Sequence, residues 1–72
     1  MDREELNALI AKGPVRILMN DGNEYLIESA ECVSVSDIAA AVLYRDEQDG
    51  KLRHMYLPLV TMSGVEPLSV DH

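Results

Sequence analysis

The hydrophobic period of this chain changes once, after its first dozen residues. Leu6, Leu9 and Ile10 recur at the i, i+3, i+4 spacing of one helix face. Asp2 stands where an N-cap belongs, with Glu5 three residues on, and Glu4 and Glu5 suit the positive end of a helix dipole. Lys12 falls in the last turn, Gly13 suits a left-handed terminating residue, and Pro14 blocks continuation. The pattern predicts a helix over about residues 2–12. So short a helix does not hold itself together in water, and its apolar stripe must dock on something.

From Val15 the period is two. Val15, Ile17 and Met19 alternate with Arg16, Leu18 and Asn20, then Asp21-Gly22 marks a turn and Tyr25-Leu26-Ile27 resumes the apolar content. A two-residue turn would set Met19 against Glu24 and bring the apolar face onto Glu24 and Glu28. A three-residue loop, Asp21-Gly22-Asn23, sets Met19 opposite Tyr25, Ile17 opposite Ile27, Arg16 opposite Glu28 and Leu18 opposite Leu26. Both faces are then chemically consistent, and Asn23, or Gly22 if the loop shifts, can take the left-handed conformation such loops need. The three-residue register is the expectation.

The second strand bends at Ser29-Ala30-Glu31 and continues through Val35. Residues 37–44 are balanced by propensity: Ser36 or Asp37 could cap a helix rich in alanine, or Ala40–Tyr44 could be a strand. The polar loop Arg45-Asp46-Glu47-Gln48-Asp49-Gly50 favours strand, because Lys51–Leu57 alternates behind it as a hairpin partner would. Pro58 breaks that strand, Leu59–Met62 and Val65 make a last one, and residues 68–72 are expected to fray. The prediction is a single domain over residues 1–72, mainly β with one N-terminal α-helix. Strands over about 15–20, 24–35, 40–45, 51–57 and 59–66 would form a small five-stranded SH3-like or Sm-like barrel.

Charge narrows the choice of partners. Six basic and thirteen acidic residues leave a net charge of −7, and the basic residues are scattered. A surface this acidic repels phosphate backbones, so composition argues against nucleic acid and for a protein partner, a second copy included. At 72 residues with one cysteine, self-association is the support to expect for so small a core. No run is long enough to span a membrane, and the acidic Met1-Asp2-Arg3-Glu4-Glu5 start is unlike a signal peptide. With the lone thiol, the expected location is the cytoplasm, away from any membrane.

Several residues resemble a known pattern. Pro14, Val15-Arg16-Ile17-Leu18-Met19-Asn20-Asp21-Gly22 and Tyr25-Leu26-Ile27 resemble the opening of a group of short, uncharacterised bacterial proteins. Glu31-Cys32-Val33-Ser34-Val35, Val42-Leu43-Tyr44 with Asp49-Gly50, and Leu59-Val60-Thr61 are similar to the rest, although Cys32 stands where an aromatic is usual. No activity comes with that resemblance. The layout also resembles Sm-like proteins of the bacterial Hfq type, which implies a ring joined through edge strands and RNA held near a Lys-His pair before the last strand. Here that stretch is Tyr56-Leu57-Pro58-Leu59-Val60, with neither residue.

Candidate chemistry is sparse. His54 and His72 have no cysteine or second histidine at ligand spacing, so a solvated residue is the reading for each. Cys32 would be a nucleophile only with His54 or a carboxylate beside it; otherwise it is a small buried hydrophobe. Asp46–Gly50 has the acids of a calcium loop, but aligning Gly50 as the sixth position puts Arg45 first and Tyr56 twelfth, where acids are required. Glu28 and Glu31 read equally as a carboxylate pair or a solvated strand edge. Leu18 and Leu26 share the face opposite the apolar one; either the N-terminal helix covers them or they form an interaction face. The expectation is a non-enzymatic protein-interaction or self-assembly module with no cofactor and no metal. An Sm-like RNA-binding protein is the alternative.

Overall fold

The computed structural model describes residues 1–68. His72 therefore lies outside the described residues, as does all of the expected frayed tail except Leu68, whose amide donates to Pro14 O at 2.9 Å. Helix α1 spans Arg3–Ile10 and starts as the sequence implies, with the Asp2 carboxylate accepting from the Glu5 amide at 2.7 Å. It ends earlier than expected. Ala11 is the C-cap, so Lys12 lies beyond the last turn, and the Gly13 amide closes the end onto Ile10 O at 3.2 Å.

Six strands follow: β1 (Val15–Met19), β2 (Glu24–Ile27), β3 (Val33–Val35), β4 (Ala39–Arg45), β5 (Leu52–Pro58) and β6 (Met62–Pro67). The expected second strand is divided by a 3-10 turn at Ala30–Cys32, and the expected last strand is preceded by another at Leu59–Thr61. Residues 39–45 are strand, as the following loop implied, and alanine's helix propensity yields to pairing on both edges. On one edge β4 meets β2 and β3, which follow each other along it; on the other it meets β5 over its whole length. Strand β1 lies between β2 and β6. The result is a curled antiparallel sheet, a half-barrel. Among the described residues β3 and β5 each pair with β4 alone and β6 with β1 alone, so these three strands have a free edge, and β5 and β6 are the longer ones.

The β1–β2 register corrects the expectation by two residues. Val15 faces Ile27, Arg16 faces Leu26, Ile17 faces Tyr25 and Leu18 faces Glu24. The loop has the expected three residues, but they are Asn20-Asp21-Gly22. The Gly22 amide donates to Met19 O at 3.0 Å and the Met19 amide to Asn23 O at 2.9 Å. Gly22, at φ 91°, takes the positive-φ position that closes such a loop, where a side chain would be strained. A shift of two preserves which side chains share a face, so Val15, Ile17, Met19, Tyr25 and Ile27 still line one side together.

That side is where the helix docks. Leu6 and Ile10 are buried in one cluster with Val15, Ile17, Met19, Ile27, Ala40, Val42, Leu57, Leu59 and Met62. The helix therefore fills the inside of the curl and does not cover Leu18 and Leu26, which point the other way and are half-buried. Leu9, half-buried, is at the margin of the helix stripe. Leu6 and Ile17 have no accessible surface. Leu6→Ala should therefore lower unfolding free energy by about 2–5 kcal/mol, and Leu18→Ala by less, in urea titrations followed by circular dichroism. Equal losses would place the helix on the wrong face.

Candidate functional site

The convex face of β3, β4 and β5 is built from small side chains in the middle and larger ones at the rim. Along β4, Ala40 and Val42 point into the core while Ala39, Ala41 and Leu43 point outward. The β4–β5 register sets Ala41 beside Tyr56 and Leu43 beside His54, and the β3–β4 register sets Ser34 on the other side of Ala41. The short side chains of Ala41 and Ser34 leave a trough between Tyr56 and the 3-10 turn carrying Cys32. It is an open groove of about 530 Å³ lined mainly by Cys32, Ser34, Ala41, Leu43, His54 and Tyr56. Past Tyr56 it continues over Ser36, Ile38 and Ala39. Ile38 then joins Val60 beside the start of α1.

Large apolar side chains are exposed here and along β5. Ile38 and Tyr56 are each 78% exposed, Val60 84%, Leu52 47% and Met55 40%. Of the seven residues of β5 only Leu57 is buried, so a full-length strand has one edge and most of its side chains in solvent. Sequence reasoning missed this surface. The outward alternation of Leu52, His54 and Tyr56 was visible, but which side of β5 faced solvent depended on what paired with it.

Leu18 and Leu26 lie elsewhere on the same convex surface, as diagonal neighbours and not as the directly opposed pair expected. Leu26 stands between Arg16 on β1 and Arg45 on β4. Leu18 is beside Gly64 of β6, where a Cβ would meet its Cδ1 at 3.9 Å. Ser63, the extra residue of a bulge, donates its hydroxyl to Leu18 O at 3.1 Å.

Around the leucines the charges are tied to one another. Arg16 reaches Glu47 at 2.9 Å, Glu66 at 3.3 Å and Glu24 at 3.4 Å. Its buried Nε is too poorly aligned with Glu24 for a hydrogen bond. Arg45 grips Glu28 with two nitrogens at 3.0 and 3.2 Å, and also donates to Gly50 O. Arg53 holds Asp46 at 3.1 Å and Asp49 at 2.6 Å, and Arg3 holds Asp37 at 3.1 Å. All four arginines are thus engaged with carboxylates; among the described residues only Lys12 and Lys51 are basic side chains outside these pairs. The acidic loop after β4 spends Asp46 and Asp49 on Arg53, and Glu28 is an ion-pair partner, not half of a carboxylate pair with Glu31. Among the described residues no three His, Cys, Asp or Glu side chains gather in a way that could hold a metal.

Cys32 and His54 line the same groove without meeting. Val33 pairs with Val42, so Cys32 comes level with Leu43, and Leu43 pairs with His54 on its far side. Two strand spacings, roughly 10 Å, therefore separate their backbones. The thiol instead lies 3.7 Å from Ser29 Oγ and is half-buried against the core, while His54 is solvated as expected. On the inner side, Tyr25 and Tyr44 meet edge to face at 4.8 Å, and burial, then Asp21, raises the Tyr25 hydroxyl above its ordinary range.

No protein-family model, curated protein or solved structure matches the chain. No helix among the described residues is long and apolar enough to cross a membrane.

Two outcomes follow from this geometry. The hydrogen bonds from Arg45 hold Glu28 below its ordinary value of 4.5, and the Lys51 amide, then Arg53, hold Asp49 below 3.8. A carboxylate whose folded value is depressed stabilises the fold fully above its unfolded value, and that contribution is lost as pH falls through the folded one. Acid unfolding should therefore begin as pH drops below these ordinary values. Glu28→Gln and Asp49→Asn should each flatten the pH profile between pH 5 and pH 2, by a small and salt-sensitive amount because the pairs are exposed. Second, His54→Ala should leave the rate of Cys32 alkylation by iodoacetamide within about twofold of the parent, since Leu43 stands between them. A tenfold fall would overturn that separation.

Proposed function

We propose that this chain is a small SH3-like or Sm-like barrel that acts in the cytoplasm, without enzymatic chemistry of its own, as a protein-interaction or self-assembly module. The observation that carries the reading is the run of exposed apolar side chains, Leu52, Met55, Tyr56, Ile38 and Val60, set along and beside the free edge of β5. Contiguous apolar surface next to an unpaired strand edge is where a partner strand gains main-chain hydrogen bonds and side-chain pockets together. The barrel reading is supported by the way the last strand returns to the first and by the 3-10 turn joining β5 to β6. Leu18 and Leu26 add half-buried apolar ground farther round the convex surface.

The second reading, RNA binding, draws less support. RNA would need free cations, and every arginine is held by carboxylates of its own chain. The full chain, immobilised, should capture a protein from its native cell extract. Tyr56→Asp and Val60→Asp, both at exposed positions that tolerate substitution, should weaken that capture by about 30-fold or more at the aromatic anchor. Unchanged capture, or a salt-dependent RNA shift in its place, would overturn the reading.

A further inference from the structure

From Gly50 to Val65 the chain contains no Asp or Glu, although it carries 13 in all. That stretch is β5, the 3-10 turn after it and most of β6, and its only fixed charges are Lys51 and Arg53. In a molecule of net charge −7, the free β5 edge is thus where a second equally acidic molecule meets least repulsion. Edge strands are ordinarily guarded by a projecting charge. Arg53 is the candidate guard, but Asp46 and Asp49 of its own chain hold it at 3.1 and 2.6 Å. The edge is left long, apolar and without its guard.

Resting on the interaction-module reading, we propose that its partner is a second copy of this chain, joined β5 to β5 in antiparallel fashion about a two-fold axis at Met55. Met55 is the middle residue of Leu52–Pro58. An axis there sets Leu52 opposite the partner's Pro58, Arg53 opposite the partner's Leu57 and His54 opposite the partner's Tyr56. No like charges face each other, and each Tyr56 gains an aromatic neighbour across the seam. A specific dimer takes about 800 Å² from each partner, out of the 4754 Å² this chain exposes. The ladder provides part; Met55 on one side of the sheet, with Leu52 and Tyr56 on the other, provides the rest. An acidic peptide is the competing occupant, but it would need the charge of Arg53, which two carboxylates already neutralise.

Light scattering on the full chain tests the pairing without any substitution. Its molar mass should rise from 8.0 kDa toward twice that value as concentration is raised. In a Cys32→Ser background, Met55→Cys should form a covalent dimer on mild oxidation, because Cα atoms facing across the axis lie about 5 Å apart. Val60→Cys is more exposed, but it lies beyond Pro58, and the Pro58 residues of the two copies are already roughly 20 Å apart in this register, so it should not. Circular dichroism of each variant reports that it is folded. Equal cross-linking at both positions, or a monomer at millimolar concentration, would overturn the pairing. So would a monomer that binds polyglutamate and loses it on Arg53→Ala, which assigns the edge to an acidic peptide. The broader reading falls separately, if Tyr56→Asp and Val60→Asp also leave capture of cellular protein unchanged or a salt-dependent RNA shift takes its place.

Discussion

Everything in this small molecule depends on burying one side of β1. Ile17 has no accessible surface, and Val15 and Met19 beside it have almost none. Above them lies a helix of eight residues that cannot persist without that contact, and on either flank lie β2 and the last strand, β6. Helix docking and closure of the last strand onto the first are therefore one event. The helix supplies Leu6 and Ile10 to a cavity that the curl of the sheet creates, and the curl has nothing to wrap around without them.

With its apolar side chains committed inward, β1 turns its polar residue outward, and the charges follow. Arg16 gathers carboxylates from β2, the β4–β5 loop and β6, and the same loop is held by Arg45 through Gly50 O and by Arg53 through Asp46 and Asp49. These exposed pairs each contribute little to stability. Their larger consequence is for recognition, because cations spent internally are not offered to a partner. What the surface does offer is the acid-free, apolar edge at β5, where the sheet stops pairing.

Much of this was legible along the chain. Asp2, Gly13 and Pro14 bracket the helix, and the alternation from Val15 to Met19 assigns its buried side, because both signals are local and survive any tertiary arrangement. The three-residue loop length was legible too, since a two-residue turn would have buried Glu24 and Glu28. Its placement was not. A slip of two residues returns every side chain to the same face, so the hydrophobic pattern is blind to it. Gly22 held the missing signal: the residue closing such a loop needs positive φ, which glycine takes more readily than Asn23.

The groove and the edge were beyond local reasoning for a different reason. Whether Ala39–Arg45 is helix or strand depends on β2, β3 and β5 arriving along its edges, and whether Tyr56 is buried depends on whether anything pairs with β5. Cys32 and His54 look like possible partners until the ladder places Leu43 between them. By itself the sequence determined the start of the helix, the alternation of β1, the side of β1 that faces inward and the sign of the surface. Only the tertiary structure decided the exact register, the face the helix covers and which strands are left with a free edge. Those are properties of pairings between residues far apart in the chain, set by competition for a few backbone hydrogen-bonding edges, and no local pattern records who wins it.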